Sequence, residues 1–298
     1  MIEQDSLLGG NNLSEAEFDA SLLQNQLKSS GIRVMSRTTV FGVYDNTVVG
    51  ALERVTDHIP NPSSKLPRQR FWTIRAKHII LASGALERHV AFNNNDIPGV
   101  MTVNASRHYL NRYGVLTGKN IVITTNNDSV YTTANELTKA GSKVHIIDSR
   151  KTISQNIIEN TKRIGIEVSL GTAPFNINGR KKIDSLDVAE HDGQKFNKVN
   201  QIKCDLVLLS GGWSPAVHLL SHRGVRPIWD PVNLCFLPNE IEEPITVTGS
   251  ASGIWNTDDC IESGIAAGLK AAQSLGLKTI NYSFPKPGGW TNPITPLY

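Results

Sequence analysis

The chain has 298 residues, of which 39% are hydrophobic and 19% are charged. This composition excludes a disordered chain, a collagen-like chain and a coiled coil, and the length predicts about two domains. Because 30 Lys and Arg residues stand against 27 Asp and Glu residues, the net charge is only +3, and we expect no nucleic-acid binding.

The sequence also gives no indication of a membrane contact or of thiol chemistry. No apolar run approaches the ~18 residues that cross a bilayer, and the acidic start at residues 1–5 lacks the basic residues of a signal peptide. The three cysteines, Cys204, Cys235 and Cys260, form no CxxC pair, which argues against a zinc site and a redox-active dithiol. We therefore expect a cytoplasmic, reduced protein without a metal site.

The first residues are typical of the end of a strand that leads through a glycine turn into a helix. An acid at the end of the second strand of a Rossmann half binds ribose hydroxyls, which makes Glu3 and the following Gly9 and Gly10 candidate cofactor contacts. The glycine-rich phosphate loop that should precede Glu3 is missing, and an exposed acid at a frayed terminus is the alternative. Ser14 then predicts the N-cap of a helix that runs to Ser30.

The next segment predicts a sheet that ends in a turn of small residues. Residues 32–55 and 71–76 favour strands, and the apolar run after Lys77 predicts a buried strand. That strand leads into Ala82-Ser83-Gly84. Small residues at a strand end let a ligand lie against the carboxyl edge of a parallel sheet, so these three are candidate cofactor contacts. Tight packing at a turn is the alternative, and a short helix over 104–113 is expected to follow.

A second unit begins after Gly118 with a strand, a helix and a strand within thirty residues, which is a βαβ pattern. A dinucleotide fingerprint would place glycines at Thr125, Asn127 and Val130, and none of the three is glycine. Asp148 lies 23 residues after Thr125, where an acid can hold a ribose. We favour a Rossmann-like domain retained as architecture over a working nucleotide site.

The last third returns to the earlier pattern. Residues 244–249 predict a strand that runs into a glycine turn, and residues 257–275 predict a helix of small residues. Gly249 is a candidate cofactor contact by its place at the strand end. Asp258 is a further candidate, although capping the helix is its favoured role. The two strand-to-glycine turns are consistent with one sheet that the chain enters twice.

These patterns together predict an α/β, FAD/NAD(P)-binding Rossmann-like three-layer fold with an inserted second Rossmann-like domain. The first dinucleotide-binding domain is predicted to be discontinuous, over 1–116 and 203–298, with its N-terminal phosphate loop missing. The inserted, degenerate Rossmann-like domain is predicted over 117–202. Because the sequence contains no nucleophile elbow and no spaced set of metal ligands, we expect neither catalytic residues nor a metal in this chain.

Several motifs resemble those of one family. Residues 82–88 resemble the ATGA-type segment of flavoproteins with two dinucleotide-binding domains. Residues 94–101 and 109–115, together with 125–129 and 140–141, are similar to the α subunit of heterotetrameric sarcosine oxidase. The resemblance covers nearly the whole chain. Subunits of octopine and nopaline oxidases and of hydrogen cyanide synthase are similar relatives.

The resemblance implies an oxidoreductase component that supports the oxidative demethylation of sarcosine to glycine, formaldehyde or methylene-tetrahydrofolate, and hydrogen peroxide. It implies NAD in the first domain, FMN at an interface with a partner, and the catalytic flavin, FAD, on a β-like partner subunit that also holds the small amine substrate. Smaller subunits complete such a complex. Since the first phosphate loop and a C-terminal folate-binding domain of that family are missing, the chain is similar to a central fragment of the α subunit.

Two other functions stay open at this point. One is a self-sufficient NAD(P)- or FAD-dependent oxidoreductase, or a subunit of opine-oxidase type. The other is a non-enzymatic scaffold that only assembles with partners.

Overall fold

The computed structural model of the chain describes residues 1–6, 20–191 and 196–279. Its helices are α1 (Ala20–Ser29), α2 (Val103–Tyr113), α3 (Val130–Lys139), α4 (Gln155–Ile164), α5 (His218–Ser221) and α6 (Thr257–Ser274). Its strands are β1 (Thr38–Tyr44), β2 (Val48–Arg54), β3 (Gln69–Arg75), β4 (Ile79–Leu81), β5 (Ala85–Glu87), β6 (Val100–Thr102), β7 (Asn120–Thr125), β8 (Lys143–Asp148), β9 (Glu167–Leu170), β10 (Thr172–Gly179), β11 (Ile183–His191), β12 (Phe196–Lys203), β13 (Leu206–Ser210), β14 (Trp213–Pro215), β15 (Ile228–Asp230), β16 (Cys235–Leu237) and β17 (Ile245–Val247). The chain divides into two compact units.

Of the described residues, the first unit contains those within Met1–Gly84 and Pro215–Trp229 and residues 236–279. Strands β1, β2 and β3 form an antiparallel sheet, whereas β4 and β17 pair in parallel. Helix α6 packs on both strands of that parallel pair. Among the described residues of this unit, an apolar core is built from Val43, Val49, Ile79, Leu81, Leu220 and Ile245.

The second unit contains Ala85–Ser214 and Asp230–Cys235. Its central sheet has five parallel strands in the order β6-β13-β7-β8-β9. Along β7, Ile121 and Ile123 lie in a core shared with α3, while Val122 between them lies in a core shared with the antiparallel sheet β10-β11-β12. Because adjacent residues of a strand face opposite sides, the helices and the antiparallel sheet cover opposite faces. This arrangement confirms the predicted three-layer α/β fold.

Local predictions agree closely with the elements in this unit. The predicted strand, helix and strand are β7, α3 and β8, and Gly114 ends α2 in the left-handed conformation that favours glycine. The antiparallel strands β10 and β11 are joined over residues 180–182. The predicted N-cap at Ser14 lies outside the described residues, which include the following helix only from Ala20.

The boundaries between the two units differ from the predicted ones. The prediction gave residues 117–202 to the inserted domain, whereas the structure groups residues 85–214. The cause is the pairing of β13, which lies between β6 and β7 in the parallel sheet. Strand β6, helix α2 and strand β13 therefore belong to the second unit rather than to the first.

Candidate functional site

The parallel pair β4-β17 forms a carboxyl edge in the first unit. Leu81 pairs with Val247, and the Thr248 N–H donates to the Leu81 carbonyl at 3.0 Å. The chain therefore enters one sheet twice, as predicted. Beyond the strands, Gly84 and Gly249 have φ angles of +75° and +66°, where L side chains are strained.

Small residues make both turns at this edge. Ala82 and Ser83 are exposed, and the Ser83 hydroxyl donates to the Ala216 carbonyl at 2.8 Å. A Cβ atom placed on Gly84 would lie 4.0 Å from Ser250 Oγ, so the two turns are neighbours. The structure thus brings Ala82, Ser83, Gly84 and Gly249 to one edge, as expected for candidate cofactor contacts.

Glu3 lies on a separate short segment of the first unit. Ile2 pairs in parallel with Met35, and the Glu3 N–H donates to the Met35 carbonyl at 2.8 Å. Glu3 Oε1 accepts the Asp5 N–H at 3.0 Å, which fixes the half-buried carboxylate. Where the sequence predicts the end of a strand, the structure has an isolated parallel bridge at Ile2. The two other candidates of this segment, Gly9 and Gly10, lie outside the described residues.

Helix α6 is capped at its N-terminus by a different residue from the predicted one. The Asn256 side chain, not that of Asp258, accepts the Asp258 N–H at 3.0 Å and caps the helix. Asp258 is half-buried in the first turn, where the helix dipole stabilises a carboxylate. The preference for Asp258 as the cap was wrong because the side chain one residue before the helix is a better-placed acceptor.

Two side chains that the sequence analysis did not single out lie beside Gly249. Cys260 Sγ is 3.9 Å from the place of a Cβ on Gly249 and donates to the Ile254 carbonyl at 3.2 Å. Burial raises the pKa of the Cys260 thiol, and the nearby carboxylate of Asp259 adds to the rise. The Ser263 hydroxyl bonds to Thr248 Oγ1 at 2.7 Å. These two contacts could not be predicted from the sequence, because Cys260 and Ser263 lie inside α6, beyond the residues that cap the helix.

The corresponding edge of the second unit does not fit a dinucleotide. Thr125, Asn127 and Val130, at the three glycine positions of a fingerprint, are 1%, 0% and 0% exposed. The Asn127 amide donates to the Ser210 carbonyl at 3.2 Å and to its hydroxyl at 3.1 Å, which joins the carboxyl ends of β7 and β13. Buried side chains therefore occupy the space that glycines leave for a pyrophosphate.

Asp148, the acid at the position where a ribose would be held, is also bound to other side chains of this unit. Asp148 is 0% exposed and accepts hydrogen bonds from the Tyr131 hydroxyl at 2.8 Å and from Arg150 Nη2 at 2.7 Å. The same guanidinium lies 2.7 Å from Asp128 Oδ1 through Nη1. This buried network supports the interpretation of the second unit as retained architecture.

A second acid, Glu87, lies half-buried near the same sheet edge. Glu87 Oε2 accepts the Asn104 N–H, in the first turn of α2, at 2.7 Å, and the hydroxyls of Ser210 and Thr102 also bond to this carboxylate. Burial raises the pKa of Glu87 to about 7, because the cost of removing the charge from water exceeds what these hydrogen bonds return.

Neither a metal-ligand cluster nor a disulfide is present among the described residues. Among them, no group of three or more His, Cys, Asp or Glu side chains is arranged to hold a metal ion. All three cysteines are free thiols. In the part of the chain that the structure covers, no helix combines the length and the apolar character needed to cross a membrane.

Comparisons with known proteins agree with this picture. A family model described as pyridine nucleotide-disulphide oxidoreductase matches residues 9–228. The chain is 36% identical over 287 residues to the sarcosine oxidase subunit alpha of Rhizobium meliloti (strain 1021), covering 93% of this chain and 28% of that subunit. It is 34% identical over 267 residues to the corresponding subunit of Corynebacterium sp. (strain P-1), covering 87% of this chain and 28% of that subunit. The chain thus spans little more than a quarter of these relatives.

Among solved structures, the thioredoxin reductase of T. acidophilum superposes with a TM-score of 0.64 at 15% identity, over 92% of this chain and 88% of that one. At this identity the similarity concerns the fold alone. Together with the family model, it confirms the predicted Rossmann-like fold class, and the two α subunits confirm the resemblance found in the motifs.

Proposed function

Because the chain belongs to the pyridine nucleotide-disulphide oxidoreductase family, we propose that it is the NAD-holding part of a subunit similar to sarcosine oxidase α. In this proposal the chain supports the oxidative demethylation of sarcosine to glycine, formaldehyde or methylene-tetrahydrofolate, and hydrogen peroxide. The catalytic FAD and the amine lie on a β-like partner subunit, FMN lies at the interface with a partner, and smaller subunits complete the complex. The identity to two such α subunits over most of this chain supports the proposal.

The observation that carries the proposed NAD site is the parallel pairing of β4 and β17. This pairing sets the turn after β4 beside the turn after β17 at the carboxyl edge, where ligands of open α/β sheets bind. In the proposal the dinucleotide lies across this edge, over Ala82, Ser83, Gly84 and Gly249. The small side chains leave room for it, and Ser83 Oγ keeps lone pairs that accept a hydrogen bond from a ribose.

Glu3 is the proposed ribose ligand. One of its carboxylate oxygens accepts the Asp5 N–H, and the other carboxylate oxygen is proposed to accept from a ribose hydroxyl. A carboxylate at this place repels a 2′-phosphate, which favours NAD over NADP. Gly9 and Gly10 are proposed to border the nucleotide after Glu3, and Asp258 is proposed to reach it from the first turn of α6.

The chain's own residues are proposed to bind and orient a nucleotide and to take no part in bond breaking. When a flavin is bound on the partner, it supplies the two-electron oxidation of the amine. The three free cysteines of this chain are separated in sequence and form no disulfide, so a dithiol reaction is not part of the proposal. The filled edge of the second unit argues against a self-sufficient oxidoreductase, which would need a second nucleotide site.

Calorimetric titration of the purified chain with NAD tests the proposed site. Ala82→Trp places a large side chain on the edge and is expected to weaken NAD binding at least about tenfold. Ala266→Trp is the control, because Ala266 is also exposed but lies in the middle of α6. Glu3→Gln is expected to weaken NAD binding and to reduce the ratio of the affinity for NAD to that for NADP. Asp5→Asn is expected to change neither the affinity nor this ratio.

The outcomes separate the open functions. Weaker binding in Ala82→Trp, with unchanged binding in Ala266→Trp, supports the site. Equal binding of NAD by both tryptophan variants places the nucleotide elsewhere. Binding of flavin but not of NAD by the folded chain overturns the NAD-holding role, and binding of neither favours a scaffold.

A further inference from the structure

The dipeptide Asn178-Gly179, which occurs once in the sequence, ends strand β10 of the second unit. Gly179 is exposed and has a φ of +146°, and Asn178 before it is half-buried. An asparagine side chain is able to react with the backbone nitrogen of the residue that follows it, and a Cβ on that residue obstructs the approach. Because glycine has no Cβ, the backbone nitrogen of Gly179 is open to this reaction.

The reaction is a deamidation within the chain, and water is its only co-reactant. The Gly179 nitrogen attacks Cγ of Asn178, so that a bond between these two atoms forms and the bond between Cγ and Nδ2 breaks. Nδ2 leaves as ammonia and takes up the proton that the Gly179 N–H loses, and the product is a cyclic imide. Water then opens the imide at either carbonyl, which leaves aspartate, or isoaspartate with the main chain running through the former side-chain carbonyl.

A neighbouring side chain favours the attack on Cγ. Asn176 Nδ2 donates to Asn178 Oδ1 at 3.0 Å, the oxygen on which negative charge develops when the nitrogen adds to Cγ. A donor placed at such an oxygen stabilises the transition state of the attack. Asn176 is fixed in turn, because its own Oδ1 accepts from Asn93 Nδ2 at 2.6 Å and from Asn94 Nδ2 at 3.1 Å. The fold therefore supplies a positioned donor to the reacting amide.

A carboxylate at residue 178 would stand beside an existing one. Asn178 pairs with Ser185, and Asp187 lies two residues further along β11. The side chains of Asn178 and Asp187 are therefore diagonal neighbours on one face of the sheet. Asn178 Nδ2 donates to Asp187 Oδ1 at 2.8 Å and to Ser185 Oγ at 3.3 Å. Deamidation replaces this donor by a charged oxygen, and the hydrogen bond to Asp187 becomes a repulsion between like charges.

The cations near these two carboxylates are exposed. Lys203 of β12 pairs with Ser185, and the basic residues 180–182 follow Gly179 in the chain. Gln201, which pairs with Asp187 from β12, is neutral and donates to Asp187 Oδ1 at 3.2 Å. Because water and salt screen exposed cations, they offset only part of the repulsion.

The second product changes the main chain itself. Isoaspartate adds a methylene group to the backbone between residues 178 and 179. Ile177 and Ile183, on the two strands beside this point, are 1% and 2% exposed and lie in one apolar core. A longer backbone displaces Gly179 from its pairing with Ile183 and so disturbs a packed core.

We propose that Asn178 is a site of spontaneous deamidation through a cyclic imide with Gly179, and that this modification loosens the hairpin formed by β10 and β11. The site lies in the second unit and does not depend on the proposed NAD site of the first unit.

Peptide mapping of the full chain by mass spectrometry, during incubation at pH 8.5, follows the modification. The peptide that contains Asn178 is expected to gain the mass that separates a carboxylic acid from an amide, and enzymatic methylation is expected to detect isoaspartate there. Asn120 is the internal reference, because it is exposed but followed by the branched Ile121, and it is expected to react more slowly. Asn178→Gln keeps the amide but moves its carbonyl one bond away from the Gly179 nitrogen, and is expected to abolish the mass gain. Asn176→Ala removes the donor to Oδ1 and is expected to slow the reaction.

Thermal melting at pH 8.5 measures the loosening of the hairpin. Asn178→Asp is expected to lower the Tm by about 2 to 6 °C, and most of this loss is expected to vanish when Asp187→Asn removes the second charge. Asn156→Asp is the control, because Asn156 is exposed in the first turn of α4, where a carboxylate is stabilised, and it is expected not to lower the Tm.

The outcomes test each step. No mass gain at Asn178, or a gain no faster than at Asn120, overturns the proposal, while titration with NAD still decides the proposed function. A mass gain without isoaspartate overturns the route through the imide, and a faster reaction in Asn176→Ala overturns the role of that donor. If Asn178→Asp melts together with the wild-type chain, or melts equally low after Asp187→Asn, the loosening by like charges is wrong.

Discussion

Replacing Glu87 with glutamine is expected to stabilise the chain at alkaline pH and to change little at acidic pH. Because the pKa of Glu87 in the folded chain is raised from its ordinary value of 4.5 to about 7, the folded chain binds this proton more tightly than the unfolded chain. The contribution of Glu87 to the free energy of unfolding is therefore fully present below about pH 4.5. It falls as the pH rises towards 7 and is lost above about pH 7.

The size of the effect follows from the pKa shift. One pKa unit corresponds to about 1.4 kcal/mol, so the shift of the Glu87 pKa from 4.5 to about 7 limits the loss of stability to about 3.5 kcal/mol. A half-buried group is partly screened by solvent, and we expect Glu87→Gln to gain about 1 to 3 kcal/mol at pH 8.5. At pH 5 the glutamine carbonyl still accepts the Asn104 N–H, and the gain is expected to vanish.

Urea denaturation at pH 5 and pH 8.5, with hydrogen exchange of the amides in α2 as a local probe, measures this difference. Glu159→Gln is the control, because Glu159 is exposed on α4, and it is expected to change stability by less than about 0.5 kcal/mol at either pH. A gain for Glu87→Gln that is the same at both pH values, or a loss at pH 8.5, would refute the reasoning.

Four further predictions concern other parts of the two units. Arg150→Ala leaves the buried carboxylate of Asp148 without its cation, and urea denaturation is expected to show a free energy of unfolding lower by about 3 to 5 kcal/mol. A decrease of less than about 1 kcal/mol would contradict the buried network. Cys260 is the least buried of the three thiols, and peptide mapping is expected to show that it is alkylated first. Bound NAD is expected to slow this alkylation. Equal alkylation rates with and without NAD would contradict a position of Cys260 beside the nucleotide. Gly264→Ala in α6 meets no neighbour and is expected to raise stability by about 0.5 to 1 kcal/mol. Gly99→Ala is expected to lower stability by about 1 to 3 kcal/mol, because its φ is +115° and its Cβ would lie 2.9 Å from Ile183, and calorimetric melting of both variants checks the opposite signs.

Much of the local structure could be predicted from the sequence, because the signals act over a few residues. The strands β7 and β8 are runs of apolar residues that both faces of the sheet bury, and the helix between them ends before Gly141. The missing glycines at Thr125, Asn127 and Val130 already indicated a domain kept for its architecture. The buried side chains at those positions support that interpretation.

Long-range pairing could not be predicted in the same way. The position of β13 between β6 and β7 depends on pairing with strands that lie 107 and 85 residues earlier in the chain (Val207 with Val100, Leu206 with Ile121), and for this reason the predicted domain boundaries differ from those of the structure. The burial of Glu87 has the same origin, since its partners come from β13 and from the start of α2. The exposure of Phe41, Tyr44 and Phe71 on the sheet β1-β2-β3 could not be predicted for another reason: apolar alternation predicts a strand but not which of its two faces is covered.

The central claim is that the first unit of this chain holds NAD while the flavin chemistry lies on a partner. The most direct measurement is to purify the folded chain, denature it by heat, and identify the released nucleotide by chromatography and absorbance. The account predicts NAD without flavin, close to one per chain, and its loss from Ala82→Trp. Flavin without NAD, or NAD that Ala82→Trp retains in full, would contradict it.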